Sequence, residues 1–157
     1  MKFVHEKKKV PKTHISLTAR SAGTDMSGGP LTDSVVAVLT KYMNRVLEVA
    51  DGYAVTEPGA YYRDFERETR KKHNQLLPSY PASRELAAMG GIVANNSGGE
   101  RTLAYGKTET YVEEIDVVLS DGSQAHFSAL APAELAKKKE LQNLEGEIYR
   151  KMDLLLT

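Results

Sequence analysis

The chain has 157 residues, of which 41% are hydrophobic and 27% charged, so its length and composition suit one globular domain. Twenty-one basic and twenty-one acidic residues cancel, so the chain has no net charge. Overall charge therefore gives no reason to expect nucleic acid as the main partner. The absence of cysteine excludes disulfides, thiolate nucleophiles and cysteine metal sites.

The N-terminus carries the one basic run, Lys7 to Lys9 with Lys2 and Lys12 nearby. We interpret this run as a solvated, frayed end rather than as a recognition patch. No apolar stretch approaches the roughly 18 residues of a transmembrane helix, and no signal-peptide apolar core follows the lysines. We therefore expect no membrane span and a cytoplasmic location.

Two strands are predicted in the first quarter of the chain. Residues 14–19 alternate and are rich in β-formers, and they run directly into the glycine-rich segment from Ser21 to Pro30. Residues 35–39 form a short continuous apolar run, which indicates a strand covered on both faces.

Two hairpins follow from the Asp-Gly pairs. Residues 45–50 and 53–57 flank Asp51 and Gly52, a pair that tolerates the positive φ values of a type I′ turn. Residues 114–120 and 124–127 flank Asp121, Gly122 and Ser123, which predicts a second hairpin.

Helices are predicted between and after these hairpins. Residues 61–74 place Tyr62, Phe65 and Thr69 at helical spacing among charges, and a shorter helix is expected at 84–89, capped by Ser83 and stopped by two glycines. From residue 132 to 157 a charged amphipathic helix carries one apolar stripe, formed by Leu141, Leu144, Ile148, Met152 and Leu155. The fold class predicted is α+β, with strands and hairpins flanked by helices.

Seven of the twelve glycines lie in two short windows, residues 20–30 and 88–99, with Gly106 shortly beyond the second. Such clusters mark backbone that takes positive φ or approaches another group closely. The upstream window, residues 20–30, offers exposed N–H groups suited to phosphate oxygens. It lacks the lysine of a Walker loop after Gly28, and it lacks a dinucleotide fingerprint with three glycines opening a helix. The downstream window, residues 88–99, is small and uncharged, which suits close approach to a ligand. A tight turn packed on its own sheet is the alternative for each window.

Together, ordered motifs from about residue 14 to 127 resemble the FAD-binding domain of the vanillyl-alcohol oxidase and p-cresol methylhydroxylase family. The branch most similar to this sequence contains the D-lactate dehydrogenases and glycolate oxidase subunits. The motifs are a strand ending in Arg20, the Gly23-Thr24 to Ser27-Gly28 loop, Pro58-Gly59, Tyr80-Pro81-Ala82-Ser83, Gly90-Gly91, Asn96-Ser97-Gly98-Gly99, Tyr105-Gly106 and Val117 to Gly122.

The resemblance implies FAD as the cofactor and assigns residues to it. In the family the upstream loop wraps the FAD pyrophosphate through backbone N–H groups, and the downstream window runs beside the pyrophosphate and the flavin ring. By position, these roles fall to Ser21, Ala22, Gly23, Thr24, Ser27 and Gly28 in the first loop, and to Ser83, Gly90, Gly91, Asn96, Ser97 and Gly98 in the second. The family more often has glycine at positions 21 and 22.

Binding is expected to be non-covalent, because Thr24 stands where some relatives attach flavin through histidine. Asp25 is expected to accept N–H groups or shape a turn rather than to act in catalysis. The four histidines are scattered, no metal site is predicted, and the catalytic residues are unknown.

The resemblance further implies that residues 1–157 are a single, truncated domain, with a cofactor-loop region at 14–127. The resembled branch implies that the small-molecule substrate is a 2-hydroxy acid or related alcohol. In the family a separate cap domain supplies most substrate-binding groups, so the substrate is expected to bind through that absent part. Alternatives are a non-enzymatic nucleotide-binding or structural remnant, and the related reductase branch that makes a cell-wall sugar precursor.

Overall fold

The computed structural model describes residues 1–9 and 14–156, apart from the side chain of Lys8. Lys12 and the last residue of the C-terminal segment, Thr157, lie outside the described residues. The helices and strands confirm the mixed α+β class predicted from the sequence. Among the described residues, no helix is both long and apolar enough to cross a bilayer.

The elements follow one another in the order α1 (Lys2–Lys8), β1 (Leu17–Arg20), β2 (Val35–Val38), β3 (Val46–Val49), β4 (Ala54–Thr56), α2 (Tyr62–His73), α3 (Met89–Ala94), α4 (Thr102–Tyr105), β5 (Glu114–Val118), β6 (Gln124–Ser128), α5 (Pro132–Glu140) and α6 (Leu144–Leu156). Short 3-10 turns lie at Leu39–Lys41 and Thr108–Tyr111. The described residues separate into two compact units, Met1–Ile15 with Glu113–Thr157, and Ser16–Val112.

In the Ser16–Val112 unit, β1 and β2 pair in parallel, with Leu17 opposite Val35. The prediction that residues 35–39 are covered on both faces is wrong, since Val35 is 42% exposed and Val38 is 46% exposed. Within the described residues β2 pairs with β1 alone, so the small sheet leaves these valines open to solvent.

The first hairpin forms as predicted from antiparallel β3 and β4, and the Ala50 N–H donates to the Tyr53 carbonyl at 3.0 Å. The type I′ turn is wrong, because Gly52 alone of the two central residues has a positive φ. Gln75 explains the difference: it accepts from the Gly52 N–H at 3.2 Å and donates to the Asp51 carboxylate at 2.8 Å. These contacts from beyond α2 hold the turn in another conformation.

The hydrophobic core of this unit forms around α2. Tyr62, Phe65 and Thr69 are buried, which confirms the apolar face predicted from their spacing, and the helix ends at Asn74 with φ +53°. The core comprises Ala60, Tyr62, Phe65, Tyr80, Ala87, Met89 and Ile92. The Tyr62 hydroxyl donates to the Leu77 carbonyl at 2.8 Å, and burial raises the pKa of Tyr62 far above its ordinary value.

The helix predicted at residues 84–89 is wrong. Residues 82–86 form hydrogen-bonded turns, and α3 begins only at Met89 and runs through Gly90 and Gly91, which were expected to stop a helix. Ala88 is instead held extended by a bridge to Tyr61. The pairing of Ala88 with Tyr61, just before α2, therefore overrides the local preference for a helix at residues 84–89.

The other compact unit contains the second predicted hairpin, confirmed by the antiparallel pairing of β5 with β6. Its N-terminal part is not frayed as expected: Lys2 and Lys7 lie in α1, whose Val4 is buried. Gly122 has a φ of +86°, and a β-carbon there would collide with Lys2.

The predicted C-terminal helix is split into α5 and α6. Asn143 ends the continuity because its side-chain oxygen accepts from the Gly146 N–H at 3.0 Å, which caps the start of α6. The predicted stripe is only partly covered, with Met152 47% exposed and Leu155 78% exposed.

Candidate functional site

The two glycine windows meet at the carbonyl of Pro58. This oxygen accepts from the Ser21 hydroxyl at 2.7 Å and from the Gly90 N–H at 2.7 Å. A β-carbon at Gly91 would lie 3.5 Å from the Ser21 Cβ, so these two segments of the chain are within van der Waals distance of each other. The structure therefore brings together Ser21 from the first predicted group and Gly90 and Gly91 from the second.

The first loop takes the left-handed backbone that its glycines predicted. Gly23 has φ +71° and Gly28 has φ +80°, a region in which side chains with a β-carbon are strained. The Arg20 guanidinium lies against Gly23, so a β-carbon there would collide with it. A cation thus stands at the start of the loop.

Asp25 binds the far half of the same loop. Its carboxylate accepts from the Ser27 N–H at 2.7 Å, the Ser27 hydroxyl at 2.8 Å and the Gly29 N–H at 2.8 Å. These hydrogen bonds hold the pKa of Asp25 below its usual range, and the bond from the Ser27 backbone N–H has the largest effect. The N–H-accepting role predicted for Asp25 is confirmed.

Other backbone donors of the loop are not bound by Asp25. Among the residues that the structure describes, the backbone N–H groups of Ala22, Gly23, Thr24 and Gly28 have no hydrogen-bond partner. Space at Gly28 is open, since the nearest atom to an added β-carbon would be Leu31 Cδ1 at 3.5 Å. Main-chain donors without an internal acceptor can receive anionic oxygens.

Residues Met89–Ala94 of the downstream window form α3 rather than a loop. A β-carbon at Gly90 would lie 2.6 Å from the Pro58 Cβ and 2.8 Å from the Pro58 carbonyl oxygen, so only glycine permits this approach. Ser83 opens the turn before α3: its carbonyl accepts from the Leu86 N–H at 2.8 Å. Its hydroxyl makes no hydrogen bond within residues 1–9 and 14–156, and it stays available to a ligand.

Asn96 and Ser97 use their polar groups within the protein. Asn96 has φ +45°; its side-chain oxygen accepts from the Glu109 N–H at 2.9 Å, and its amide donates to the Glu109 carboxylate at 2.7 Å. Ser97 is 5% exposed, and its carbonyl accepts from the N–H and the hydroxyl of Thr108, at 3.0 and 2.8 Å. Contact of these two residues with the cofactor stays a prediction, and it would have to use atoms other than those already hydrogen-bonded within the protein.

Gly98 is also packed against the protein. A β-carbon there would collide with the Thr102 hydroxyl, which accepts from the Gly99 N–H at 2.7 Å. Gly99 in turn lies against the Tyr80 carbonyl. Both glycines have a structural reason to be glycine, independent of any ligand.

A buried pair of hydroxyls supports this window, and sequence reasoning missed it. Thr108 is 1% exposed and donates its single hydroxyl proton to the Ser97 carbonyl. Ser79, fully buried, lies 3.2 Å from the same hydroxyl and must therefore be the donor in that contact. Neither residue stands out in the sequence, because a lone serine and a lone threonine far apart carry no pattern.

Arginines add positive charge near Tyr80. The Arg84 and Arg101 guanidinium carbons lie 4.7 and 5.7 Å from the centre of its ring, and its hydroxyl donates to Glu100 at 2.8 Å. That hydrogen bond to a carboxylate raises the pKa of Tyr80. In the described part of the chain, no group of three or more histidine and carboxylate side chains could hold a metal ion.

Comparison with known proteins gives a consistent family. The family described as FAD binding domain matches residues 7–128. Glycolate oxidase subunit GlcD of Bacillus subtilis is 34% identical over 69% of this chain and 23% of its own length, and D-lactate dehydrogenase of Archaeoglobus fulgidus is 30% identical over 78% and 26%. D-2-hydroxyglutarate dehydrogenase of Pseudomonas putida is 29% identical over 87% of this chain. The chain spans 14% of that relative's length.

Solved structures agree in fold. The glucooligosaccharide oxidase of Acremonium strictum is 26% identical, with a TM-score of 0.63 over 79% of this chain and 26% of that one. An alkyldihydroxyacetonephosphate synthase, 21% identical, superimposes with a TM-score of 0.65 over 83% of this chain and 26% of that one, which shows the fold alone.

The donors fit FAD at its diphosphate. N–H groups that have no partner among the described residues, two left-handed glycines and a neighbouring guanidinium suit a phosphate-binding loop. On the family match over residues 7–128, this chain belongs to the FAD binding domain family.

Proposed function

We propose that this chain binds FAD non-covalently as the cofactor-binding part of a flavin-dependent dehydrogenase or oxidase of a small 2-hydroxy acid or related alcohol. The observation that carries the proposal is the shared Pro58 carbonyl, which draws the Ser21 and Gly90 segments together. The substrate class rests on the relatives, which are named for glycolate, D-lactate and D-2-hydroxyglutarate.

The backbone of the first loop would hold the diphosphate. The N–H groups of Ala22, Gly23, Thr24 and Gly28 have no partner among the described residues, and charge-assisted hydrogen bonds of this kind contribute roughly 1.5–3 kcal/mol each. Ser27, which was also predicted to contact the pyrophosphate, has its N–H and hydroxyl bound to Asp25.

The bound flavin would supply hydride and electron transfer, while the protein supplies position. Thr24 carries no imidazole, which supports a non-covalent attachment. Gly91, beside Ser21, would line the continuation of the dinucleotide. So would the hydroxyl of Ser83, which has no hydrogen-bond partner among the described residues. We assign none of the described residues to substrate binding or to removal of the substrate's proton.

A second candidate is a folded protein that uses no flavin. The observation in its favour is that the loops are well satisfied without a ligand: Asp25 binds three donors of its own loop, and Asn96 pairs both its amide atoms with Glu109. In this case the windows persist as turns alone.

Titration of the purified 157-residue chain with FAD, followed by quenching of flavin fluorescence, separates the two candidates. We expect a saturable change, and Gly28→Val should remove it, because a β-branched side chain at φ +80° distorts the loop. Gly52→Val is the matched control, since Gly52 has φ +90° and open space around it but lies in a hairpin turn outside the site.

Gly52→Val should bind FAD like the unmodified chain. The absence of a saturable change at high micromolar FAD would refute binding by this chain and favour the second candidate. Equal affinity of Gly28→Val and Gly52→Val would remove the first loop from the site.

A further inference from the structure

The phosphate-binding loop contains an anion of its own. Asp25 reaches across the loop to accept the N–H groups of Ser27 and Gly29 and the hydroxyl of Ser27, all at 2.7–2.8 Å. A β-carbon at Gly29 would lie 2.6 Å from the Asp25 carboxylate, so the carboxylate is pressed against the main chain there. An incoming phosphate would use the same kind of donor in the same loop.

The two halves of the loop therefore differ. Donors at Ala22, Gly23 and Thr24 have no partner within the described residues, whereas those at Ser27 and Gly29 are bound to a carboxylate. A diphosphate that used the N–H groups of Ser27 and Gly29 would have to displace Asp25, and one that used the other donors would still lie within a few residues of a negative charge. Either course costs binding free energy.

We propose that Asp25 is an internal competitor that limits the affinity of this loop for the FAD diphosphate and confines the diphosphate to the donors of residues 22–24 and 28. This inference rests on the proposed function. It makes Asp25 a positioning residue that acts through the loop donors, and the flavin ring is not affected by it.

The hairpin turn between β5 and β6 provides an internal control. Asp121 accepts from the Ser123 N–H at 2.9 Å and from the Ser123 hydroxyl at 2.6 Å, the same arrangement that Asp25 makes with Ser27. The Asp121 turn lies in the other compact unit and outside both glycine windows. Replacing either aspartate by asparagine removes one charge and keeps an oxygen that can accept from the serine.

The experiment compares the full chain with its Asp25→Asn and Asp121→Asn variants by fluorescence titration with FAD and with riboflavin, which has the flavin ring but no phosphate. Asp25→Asn should bind FAD about three- to tenfold more tightly, the size expected for one close charge in a hydrated loop. Riboflavin binding should not change, and Asp121→Asn should match the unmodified chain with both ligands. Added salt should reduce the difference in FAD affinity between Asp25→Asn and the unmodified chain, because salt screens the repulsion between Asp25 and the diphosphate.

Amide hydrogen exchange gives a second readout. In Asp25→Asn the Gly29 N–H loses its acceptor, and we expect FAD to protect it there but not in the unmodified chain. Equal FAD affinity in the two proteins, or weaker binding by Asp25→Asn, would overturn the inference while leaving flavin binding in place. An equal change in riboflavin affinity would also overturn it. If neither protein binds FAD, the proposed function fails and the inference fails with it.

Discussion

The buried hydroxyl of Thr108 provides the most informative perturbation of the downstream window. Thr108→Val keeps the shape of the side chain but removes the group that donates to the Ser97 carbonyl at 2.8 Å and accepts from Ser79 at 3.2 Å. The Ser97 carbonyl retains the Thr108 N–H at 3.0 Å. Ser79, fully buried, loses the one hydrogen-bond partner that the described residues give its hydroxyl.

The expected loss of stability follows from that orphaned hydroxyl. An unsatisfied buried polar group costs about 1–3 kcal/mol, so Thr108→Val should lower the free energy of unfolding by an amount in this range. Ser79→Ala in the Thr108→Val background should restore part of the loss, because no buried donor is then left unpaired. The double variant should therefore be less destabilised than the sum of the two single variants.

Urea denaturation followed by circular dichroism measures these free energies. Thr110→Val is the control, since Thr110 is exposed and lies in the same 3-10 turn; its stability should stay within about 0.5 kcal/mol of the unmodified chain. Additive effects of Thr108→Val and Ser79→Ala, or equal effects of Thr108→Val and Thr110→Val, would refute the hydroxyl network as the support of Ser97.

Three other outcomes can be tested by similar means. Gly90→Ala should lose roughly 1–3 kcal/mol in urea denaturation, because its methyl group would meet the Pro58 backbone; unchanged stability would refute the close approach. The hydrogen bond from Arg45 lowers the pKa of Glu57, so the pair stabilises the fold above the ordinary carboxyl pKa of about 4.3 and less as pH falls through the lowered pKa. Glu57→Gln should accordingly show a smaller loss of melting temperature on acidification, and a parallel loss in both proteins would contradict this. Position 74 has φ +53°, so Asn74→Gly should keep the melting temperature, whereas Asn74→Ala should lower the free energy of unfolding by about 1 kcal/mol. Equal melting temperatures of the two variants would count against that conformation.

Local sequence signals were sufficient where an element is stabilised by its own residues. The spacing of Tyr62, Phe65 and Thr69 predicted α2 and its buried face, since those side chains fall on one side of a helix whatever surrounds it. Asp121 and Gly122 predicted the β5–β6 hairpin for a similar reason, because the turn depends on a single left-handed glycine.

The candidate site was only partly predictable. The glycine windows and the accepting role of Asp25 could be read from residue types, since phosphate nests need small residues and a short acidic side chain readily binds nearby N–H groups. The commitment of Asn96 to Glu109 could not, because it depends on a segment thirteen residues away. The Ser79–Thr108 pair joins residues twenty-nine positions apart and left no trace in the sequence.

The sequence by itself therefore determined the local elements, the backbone freedom at Gly23 and Gly28, and the chemical character of the two windows. Tertiary structure decided that Gly90 and Gly91 enter a helix, because the extended pairing of Ala88 with Tyr61 delays its start. Tertiary structure also decided that the windows meet at the Pro58 carbonyl. The shared acceptor at this meeting is the Pro58 carbonyl, and every residue carries a carbonyl, so side-chain patterns do not identify which distant groups will donate to it.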